Sequence, residues 1–413
     1  MLLRRIPFLF FYLFNFWSLQ AAAQEKIYFE PKTALGGSQS DFISCKGVVV
    51  FETTPESKFD RYSRIIPTKK YFIVCDYSAK KILVFDKNGR FINKLKNKLD
   101  LDRLNYNEAN DRLEVVAQNK MYRLTDKDES QILENFNDPK NRKYYRKYFI
   151  DFSDTLHLTV QKQKISSRDI LNPVSYTDGM HIVNQVTVDK NFVKEEDYEL
   201  KIYRGDSLLK QYFPYKKKTD SRYIYDGGTV AVTASAKSGT KWVTHPYDYT
   251  IYALQKDSLY KVYSLILPLD RAIPADLFTK DFQNKTEKDN YARQNKKVVK
   301  QLNVYNLNSR YISIGLQNML YDNQQFIYDT QTKGFYSVEK LVPDSLSFYL
   351  PICNNFNFND GPLVYSRFFA ADITKAAEAH KKETIVYPPL LQAYINTATP
   401  ESNPVLISFT YSN

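Results

Sequence analysis

The chain has 413 residues and a formal net charge of +12; 15% of its residues are aromatic and only 12 are glycine. This aromatic content excludes an intrinsically disordered chain, which lacks the apolar side chains that a core needs. Three cysteines exclude a small scaffold held together by several disulfides. The lysines occur in short groups along the whole sequence, which is typical of a solvated surface. A cationic face for an anionic glycan or surface polymer is the alternative.

Residues 1–23 have the pattern of a secretory signal peptide. Arg4 and Arg5 precede an apolar run at 6–17, and three alanines at 21–23 supply the small residues of a cleavage site. We therefore expect one domain over residues 24–413. An uncleaved membrane anchor is the alternative, but the apolar run is shorter than the roughly 20 residues of a membrane-spanning helix.

No later apolar run approaches that length, so we expect no transmembrane segment after cleavage. The first cysteine is Cys45, far from the cleavage site, and a lipid-anchored form finds no support. The sequence therefore predicts an exported, soluble protein of the periplasm or the extracellular space that is not a lipoprotein. Export in turn argues against nucleic acid as a partner.

Residues 71–96 form the most regular part of the sequence. Three short runs rich in β-branched and aromatic residues lie at 71–76, 81–86 and 90–95. Asn88-Gly89 between the last two runs is a strong signal for a tight turn, because both residues tolerate positive φ. The runs carry apolar residues at both parities, whereas a sheet with one face in water alternates. This pattern predicts an antiparallel meander covered on both sides, as in a propeller blade.

Further strand-like clusters follow at a loose period, with no linker between them. Three helical insertions are predicted at 274–300, 372–383 and 389–397. A second cluster is predicted within 101–131, a third at 148–161, 180–188, 198–203 and 207–213, a fourth at 229–234, 241–244, 250–255 and 260–267, a fifth at 298–304, 311–316, 325–329 and 335–341, and a sixth at 363–369 and 405–411.

Residues 84–91, Val-Phe-Asp-Lys-Asn-Gly-Arg-Phe, resemble the strand–turn–strand signature of NHL-type blades. The wider pattern is similar to NHL-like and TolB-like six-bladed propellers, which are abundant among exported proteins of Bacteroidetes. The segments 213–215, 250–252 and 402–406 lie where that family carries similar ones. The resemblance implies an all-β fold, a six-bladed β-propeller of four-stranded antiparallel blades with short helical insertions. It implies no catalytic residues.

Candidate chemistry is sparse. None of the four histidines has a neighbour at metal-ligand spacing, and no nucleophile elbow or glycine-rich phosphate loop occurs, so we expect no metal, no cofactor and no catalytic residue. His245, with Trp242 and Tyr247 beside it, lies at a strand end where it can line a pocket mouth; a turn packed by aromatic rings is the alternative. Carboxylates of Asp76, Asp226 and Asp360 with Asn354 converging on the axis would instead suit calcium.

The segment 139–148, Pro-Lys-Asn-Arg-Lys-Tyr-Tyr-Arg-Lys-Tyr, is the strongest surface feature of the sequence. Arginine and tyrosine are enriched in binding hot spots, and tyrosine rings stack on sugars. Arg142, Tyr144, Tyr145 and Arg146 are therefore candidate ligand contacts. An ordinary connecting loop with solvated lysines is the alternative.

These features favour a non-catalytic binding or scaffold propeller that recognises a glycan, a peptide or a partner protein at one face. A metal-dependent propeller hydrolase or lyase with its active site in the axial funnel is the second hypothesis. We also expect the runs at 47–52, 363–369 and 405–411 to share the sixth blade and to close the ring. That placement brings Cys45 and Cys353 into one blade, where a disulfide between them forms only if the Cα atoms lie within about 7 Å.

Overall fold

The computed structural model describes residues 25–95, 101, 103–107, 110–119, 121–122, 125, 132, 138–166, 169, 174–176, 179–184, 196–225, 229–235 and 239–412. The expected signal peptide at 1–23 lies outside these residues. The described residues form six small β-sheets that are the blades of a six-bladed β-propeller.

The first three strands of the described residues do not form a blade of their own. They are β1 (Glu25–Tyr28), β2 (Leu35–Ser38) and β3 (Ile43–Val50). We call residues 25–50 the N-terminal arm, because its strands join the outer edges of three different blades.

Blades 1 to 3 are four-stranded and antiparallel, with the first strand innermost and the fourth outermost. Blade 1 contains β4 (Arg64–Pro67), β5 (Tyr71–Asp76), β6 (Lys81–Asp86) and β7 (Phe91–Lys94); blade 2 contains β8 (Arg103–Asn107), β9 (Arg112–Gln118), β10 (Tyr145–Asp151) and β11 (Thr159–Gln163); blade 3 contains β12 (Val174–Ser175), β13 (Met180–Val183), β14 (Glu196–Arg204) and β15 (Ser207–Lys216).

Blades 4 and 5 gain β1 and β2, respectively, as fifth strands, and both additions are parallel to their neighbours. The expectation of four antiparallel strands in every blade is therefore wrong for these two sheets. Blade 4 contains β16 (Ala231–Ala234), β17 (Thr240–Thr244), β18 (Thr250–Gln255) and β19 (Ser258–Ile266); blade 5 contains β20 (Val299–Leu307), β21 (Tyr311–Asn318), β22 (Asn323–Asp329) and β23 (Phe335–Val342); blade 6 contains β24 (Phe356–Asp360), β25 (Leu363–Phe368), β26 (Val405–Tyr411) and β3.

The meander predicted at 71–96 is blade 1 without its innermost strand. All six residues of β5 are buried, so both faces of this sheet are covered as expected. Gly89 has a φ of 87° in the turn after β6. A Cβ added there would lie 2.1 Å from the carbonyl oxygen of Val50, so the turn needs glycine both for its backbone angle and for its contact with β3.

Two parts of the strand assignment are wrong. The run at 148–161 belongs to blade 2 as β10 and β11, and not to the third blade, because the chain leaves β9 at Gln118 and returns only at Tyr145. The innermost strands β4, β8, β12 and β24 were missed. All four have at most five residues and carry polar side chains, as strands beside the axis of the ring can.

Clusters of buried apolar side chains fill the boundaries between neighbouring blades. One cluster joins blades 6 and 1 through side chains such as Phe72, Phe85 and Leu406, all 0% exposed. Similar clusters lie between blades 1 and 2, 3 and 4, 4 and 5, and 5 and 6, and a smaller one lies in blade 2 beside its connection to blade 3. Each fully buried side chain of this kind contributes about 1.5–3 kcal/mol relative to an exposed one. The ring is thus held together by burial at successive boundaries.

The ring closes as expected, since β26 pairs with β25 on one side and with β3 on the other. Blade 6 therefore combines one strand from the start of the described chain with three from its end. Cys45 and Cys353 both contribute to the cluster between blades 5 and 6. Both are free thiols, so this structure lacks the disulfide considered above. Burial raises the pKa of the Cys45 thiol to about 11 and that of Cys353 to about 12, which disfavours the thiolate that forms a disulfide.

Three α-helices of the described residues lie in two long insertions. They are α1 (Lys285–Gln294), α2 (Ala370–Ala379) and α3 (Pro389–Thr397), close to the predicted positions. A 3-10 turn at Ala275–Phe278 precedes α1. None of the helices that the described residues form is long and apolar enough to cross a membrane.

One end of the ring carries all the long connections. At this end the second strand of each blade turns into the third, and the chain crosses from each blade to the next. We call this end the crossover face. It holds both insertions, the turn 245–249 in blade 4 and the segment Pro139–Tyr144 before β10.

Candidate functional site

Trp242, His245 and Tyr247 lie where β17 ends and turns toward β18. His245 is 7% exposed and Tyr247 is 6% exposed, while Trp242 is half-buried. Tyr247 adopts a positive φ of 63°, which folds the turn back on itself. His245 and Tyr247 therefore pack inside the crossover face and do not form an open pocket mouth. That they contact a ligand stays a prediction.

The imidazole of His245 lies between two carboxylates. Its Nε2 atom is 2.8 Å from Oδ2 of Asp248, and its Nδ1 atom is 3.5 Å from Oε2 of Glu199 in β14. Burial alone would lower the pKa of His245, but the hydrogen bond to Asp248 and the charge of Glu199 raise it to about 9. Burial would raise the pKa of Asp248, but its contacts with His245 lower it to about 2. At neutral pH His245 is a cation with no free base function.

Other groups from blade 3 complete this buried cluster. Glu199 is 1% exposed and has Arg222 Nη2 at 3.9 Å. Burial and the charge of Glu199 raise the pKa of Tyr223, whose ring is also buried. The ring of Phe213 lies 4.1 Å from the His245 ring. We call Glu199, Arg222, Tyr223, His245 and Asp248 the His245 cluster; it joins blades 3 and 4 at the crossover face.

Two buried lysines fix the surroundings of the His245 cluster. Lys288 of α1 is 2% exposed and donates to the backbone carbonyls of Ser221, at 2.5 Å, and Arg222, at 3.1 Å. Lys300 in β20 is also 2% exposed and lies 4.4 Å above the ring of Tyr321. Helix α1 is thus attached to the segment that carries Arg222, and the region is a packed polar interior.

The basic-aromatic segment lies on blade 2 at the same face. Asp138 caps its 3-10 helix, Pro139–Tyr144, by accepting a hydrogen bond from the backbone of Lys140. Of the four candidate residues, Tyr145 is buried beneath Arg103, whose guanidinium lies 5.2 Å from its ring. Arg142, Tyr144 and Arg146 are half-buried.

Tyr144 forms the centre of an exposed surface. Its ring meets that of Tyr122 edge to face at 5.8 Å, and the ammonium of Lys143 lies 4.9 Å from one ring and 5.5 Å from the other. Arg146 Nη2 lies 3.7 Å from the sulfur of Met121, a side chain that is 76% exposed. We call Met121, Tyr122, Lys143, Tyr144 and Arg146 the Tyr122 patch. Met121 and Tyr122 were missed from the sequence, because they lie 18 and 17 residues before the segment begins at Pro139 and join it only in the fold.

The two sequence-predicted groups do not form one site. The His245 cluster joins blades 3 and 4, whereas the Tyr122 patch belongs to blade 2. Glu199 was also missed, because it is one of five charged residues in the strand Glu196–Arg204 and nothing in the sequence distinguishes it from the others.

The axial carboxylates considered for calcium are separated. Asp76 ends β5 at the crossover face, where its side chain accepts hydrogen bonds from the backbone of Asp60 and Ala79. Asp360 ends β24 at the opposite face and pairs with Lys87 at 3.1 Å. Asp226 lies outside the described residues. Within the part of the chain that the structure describes, no group of three or more His, Cys, Asp or Glu side chains is placed to hold a metal ion.

Comparison with known proteins relates the chain to other propellers. A family model for DUF5128, described as a 6-bladed beta-propeller, matches residues 27–98, which include most of the N-terminal arm and blade 1. No curated protein matches the chain.

Two solved structures from Bacteroides cover nearly the whole fold. An exported-protein candidate from Bacteroides fragilis is 11% identical, with a TM-score of 0.58, and the match covers 94% of this chain and 99% of that one. A member of the DUF4221 family from Bacteroides vulgatus is 9% identical, with a TM-score of 0.45, and the match covers 90% of this chain and 98% of that one. At these identities the likeness to the first structure concerns the fold alone.

Proposed function

We propose that this protein is an exported, non-catalytic binding propeller that recognises a glycan, a peptide or a partner protein at its crossover face. The observation that carries the proposal is the Tyr122 patch, where two tyrosine rings, two cations and an exposed methionine lie together. Aromatic rings and arginine are enriched in binding hot spots. A tyrosine ring buries a large area with only two rotatable side-chain bonds. Export rests on the signal-peptide pattern at residues 1–23.

The chemistry of the interior supports binding over catalysis. His245 is held as a cation between two carboxylates, so it cannot accept a proton at neutral pH. Burial raises the pKa of Cys75 to about 12, as it does for Cys353, and a thiol of this kind is a poor nucleophile. These groups stabilise the fold and give a hydrolase no activated base or nucleophile.

The test is an array of glycans and peptides probed with the purified protein, followed by affinity measurements on variants. We expect Tyr122→Ala and Tyr144→Ala each to weaken binding of the best array ligand at least tenfold, since each removes a ring that the ligand would cover. Tyr260→Ala is the matched control, because Tyr260 and Tyr122 are both 39% exposed but Tyr260 lies on the outer part of blade 4.

Two results would contradict the proposal. One is an array on which the wild-type protein binds nothing. The other is a ligand whose affinity falls equally in the control and in the two patch variants. Stoichiometric metal that resists dialysis would instead favour a metal-dependent enzyme.

A further inference from the structure

Two arginines converge on one aromatic ring at the junction of blades 6 and 1. Arg61 lies in the connection between β3 and β4, and Arg367 lies near the end of β25. Their guanidinium carbons are 5.2 Å and 5.6 Å, respectively, from the centre of the Phe369 ring. Arg61 is exposed, and the neighbouring ring of Tyr62 is 76% exposed. All four residues belong to the crossover face.

Neither guanidinium has a carboxylate partner among the described residues. Arg367 donates to the backbone carbonyl of Ser63 at 2.8 Å. The nearby carboxylate of Asp60 is occupied by the backbone of Tyr62 at 2.6 Å and the hydroxyl of Ser78 at 3.2 Å. Three other arginines do contact acids: Arg112, Arg222 and Arg310 lie 3.2, 2.6 and 3.0 Å from the carboxylates of Asp151, Asp220 and Asp329. Arg64 and Arg271, by contrast, donate to the uncharged oxygens of Leu104 and Gln324.

This arrangement is unfavourable for the protein alone. Burial, together with the charge of Arg61, lowers the pKa of the Arg367 guanidinium, although it stays charged at neutral pH. The charge of Asp60 opposes this shift but makes no ion pair with either guanidinium, so the cost of two like charges beside a half-buried ring is only partly offset. An anion between them would remove the repulsion and satisfy the free N–H groups.

We propose that Arg61 and Arg367 form a binding site for an oxyanion group, that is, a carboxylate, a phosphate or a sulfate. Guanidinium groups match the geometry of such anions through two parallel N–H···O bonds. Phe369 holds the two groups in place, and Tyr62 offers a ring to the molecule that carries the anion. The site is separate from the Tyr122 patch, and its test does not depend on the ligand of that patch.

The experiment measures thermal unfolding and calorimetric binding of the purified protein with three probes: inorganic phosphate, inorganic sulfate and trigalacturonate. Sodium chloride at matched ionic strength controls for screening. Each anion is used at about 10 mM, a concentration that suits weak anion sites. We expect at least one oxyanion to raise the melting temperature by a few degrees above the melting temperature in sodium chloride. Tighter binding of trigalacturonate than of the inorganic ions would assign the anion to a saccharide, and the reverse would assign it to a free ion.

The variants are Arg61→Gln, Arg367→Gln and Arg367→Lys, with Arg90→Gln as the control. Arg90 is an exposed arginine in the turn after β6, at the opposite face. We expect both glutamine variants to lose the oxyanion effect, Arg367→Lys to weaken it about tenfold through loss of the paired N–H geometry, and Arg90→Gln to keep it. Because Arg61 is exposed, its variant remains informative even if Arg367→Gln fails to fold. Oxyanions that act no differently from chloride, or an undiminished effect in Arg61→Gln, would overturn the proposal.

Discussion

At the scale of single residues, the His245 cluster shows how a buried charge is made tolerable. The imidazolium has carboxylates near both ring nitrogens, and the Glu199 carboxylate has Arg222 on its other side. Removing one member would leave an uncompensated charge in the interior, which is strongly destabilising. The sequence marked His245 as unusual through its aromatic neighbours. It could not show Glu199 as a partner, because 46 positions separate the two residues and only the packing of blade 3 on blade 4 brings them together.

The His245 cluster makes stability depend on pH. The pKa of His245 rises from its usual 6.5 to about 9 on folding, so its contribution is complete below pH 6.5 and is lost as the pH rises through 9. The pKa of Asp248 falls from 3.8 to about 2 on folding, so its contribution to stability is present above pH 3.8 and is lost as the pH falls through 2. We expect the free energy of unfolding to decrease by roughly 2–3 kcal/mol between pH 6 and pH 9.5.

Urea unfolding at both pH values checks this expectation in the wild type, His245→Gln and His157→Gln. His157 is the control, because its exposed side chain contacts only Asp154. The pH dependence should disappear in His245→Gln and persist in His157→Gln. An equal slope in all three proteins would show that His245 is not the titrating group.

At the scale of elements, the sequence was most informative where strands alternate with short turns. Asn88-Gly89 and the apolar runs around it predicted three strands of blade 1 correctly. The reason is local, since the turn geometry and the burial of both sheet faces depend on nearby residues. The long connection between Gln118 and Tyr145 has no such turn signal. As a result, two strands of blade 2, β10 and β11, were assigned to the third blade. The parallel additions of β1 and β2 were also invisible, because only contacts hundreds of residues apart define them.

The turn at Gly89 provides the test at this scale. We expect Gly89→Ala to destabilise the protein by at least about 2 kcal/mol, from the positive φ and from the close approach of the Val50 carbonyl. Gly205→Ala is the matched control, because Gly205 also has a positive φ, 54°, but no atom lies within 4 Å of its added Cβ. Chemical denaturation of both variants isolates the contact with β3. Equal losses of stability in the two variants would mean that the close approach of the Val50 carbonyl adds nothing to the cost of Gly89→Ala.

At the scale of the whole molecule, ring closure depends on β26. This strand is paired on both sides, and five of its seven residues, from Val405 to Phe409, are buried with at most 6% exposure. Asn403 just before it donates to the carbonyls of Glu52 and Ser57, which joins the end of the chain to the connection that leads into blade 1. The sequence predicted this shared blade from a terminal strand run and an early one. It did not predict the two additional strands of the arm.

Deleting residues 405–413 should lower the melting temperature sharply or prevent folding, because it unpairs β3 and opens the ring. Leu406→Ala is a milder change in the same strand. Because Leu406 is fully buried, we expect this substitution to lower the free energy of unfolding by about 2–5 kcal/mol. Leu208→Ala is its control, since Leu208 on the outer strand of blade 3 is 47% exposed. Calorimetry on the three variants decides the matter. An unchanged melting temperature after the deletion would exclude β26 from closure.

The pairing of β3 with β26 also sets the order of events when the protein is made. Asn403 bonds to Thr53 across a separation of 350 residues, so β3 leaves the ribosome long before its partner β26 does. Until then β3 has an open edge, and pairing over such a separation is intrinsically slow. A chain that crosses a membrane from its N-terminus would meet the same delay on the far side. Until β26 has paired with β3, the ring therefore stays open, with an exposed strand edge for proteases and chaperones to recognise.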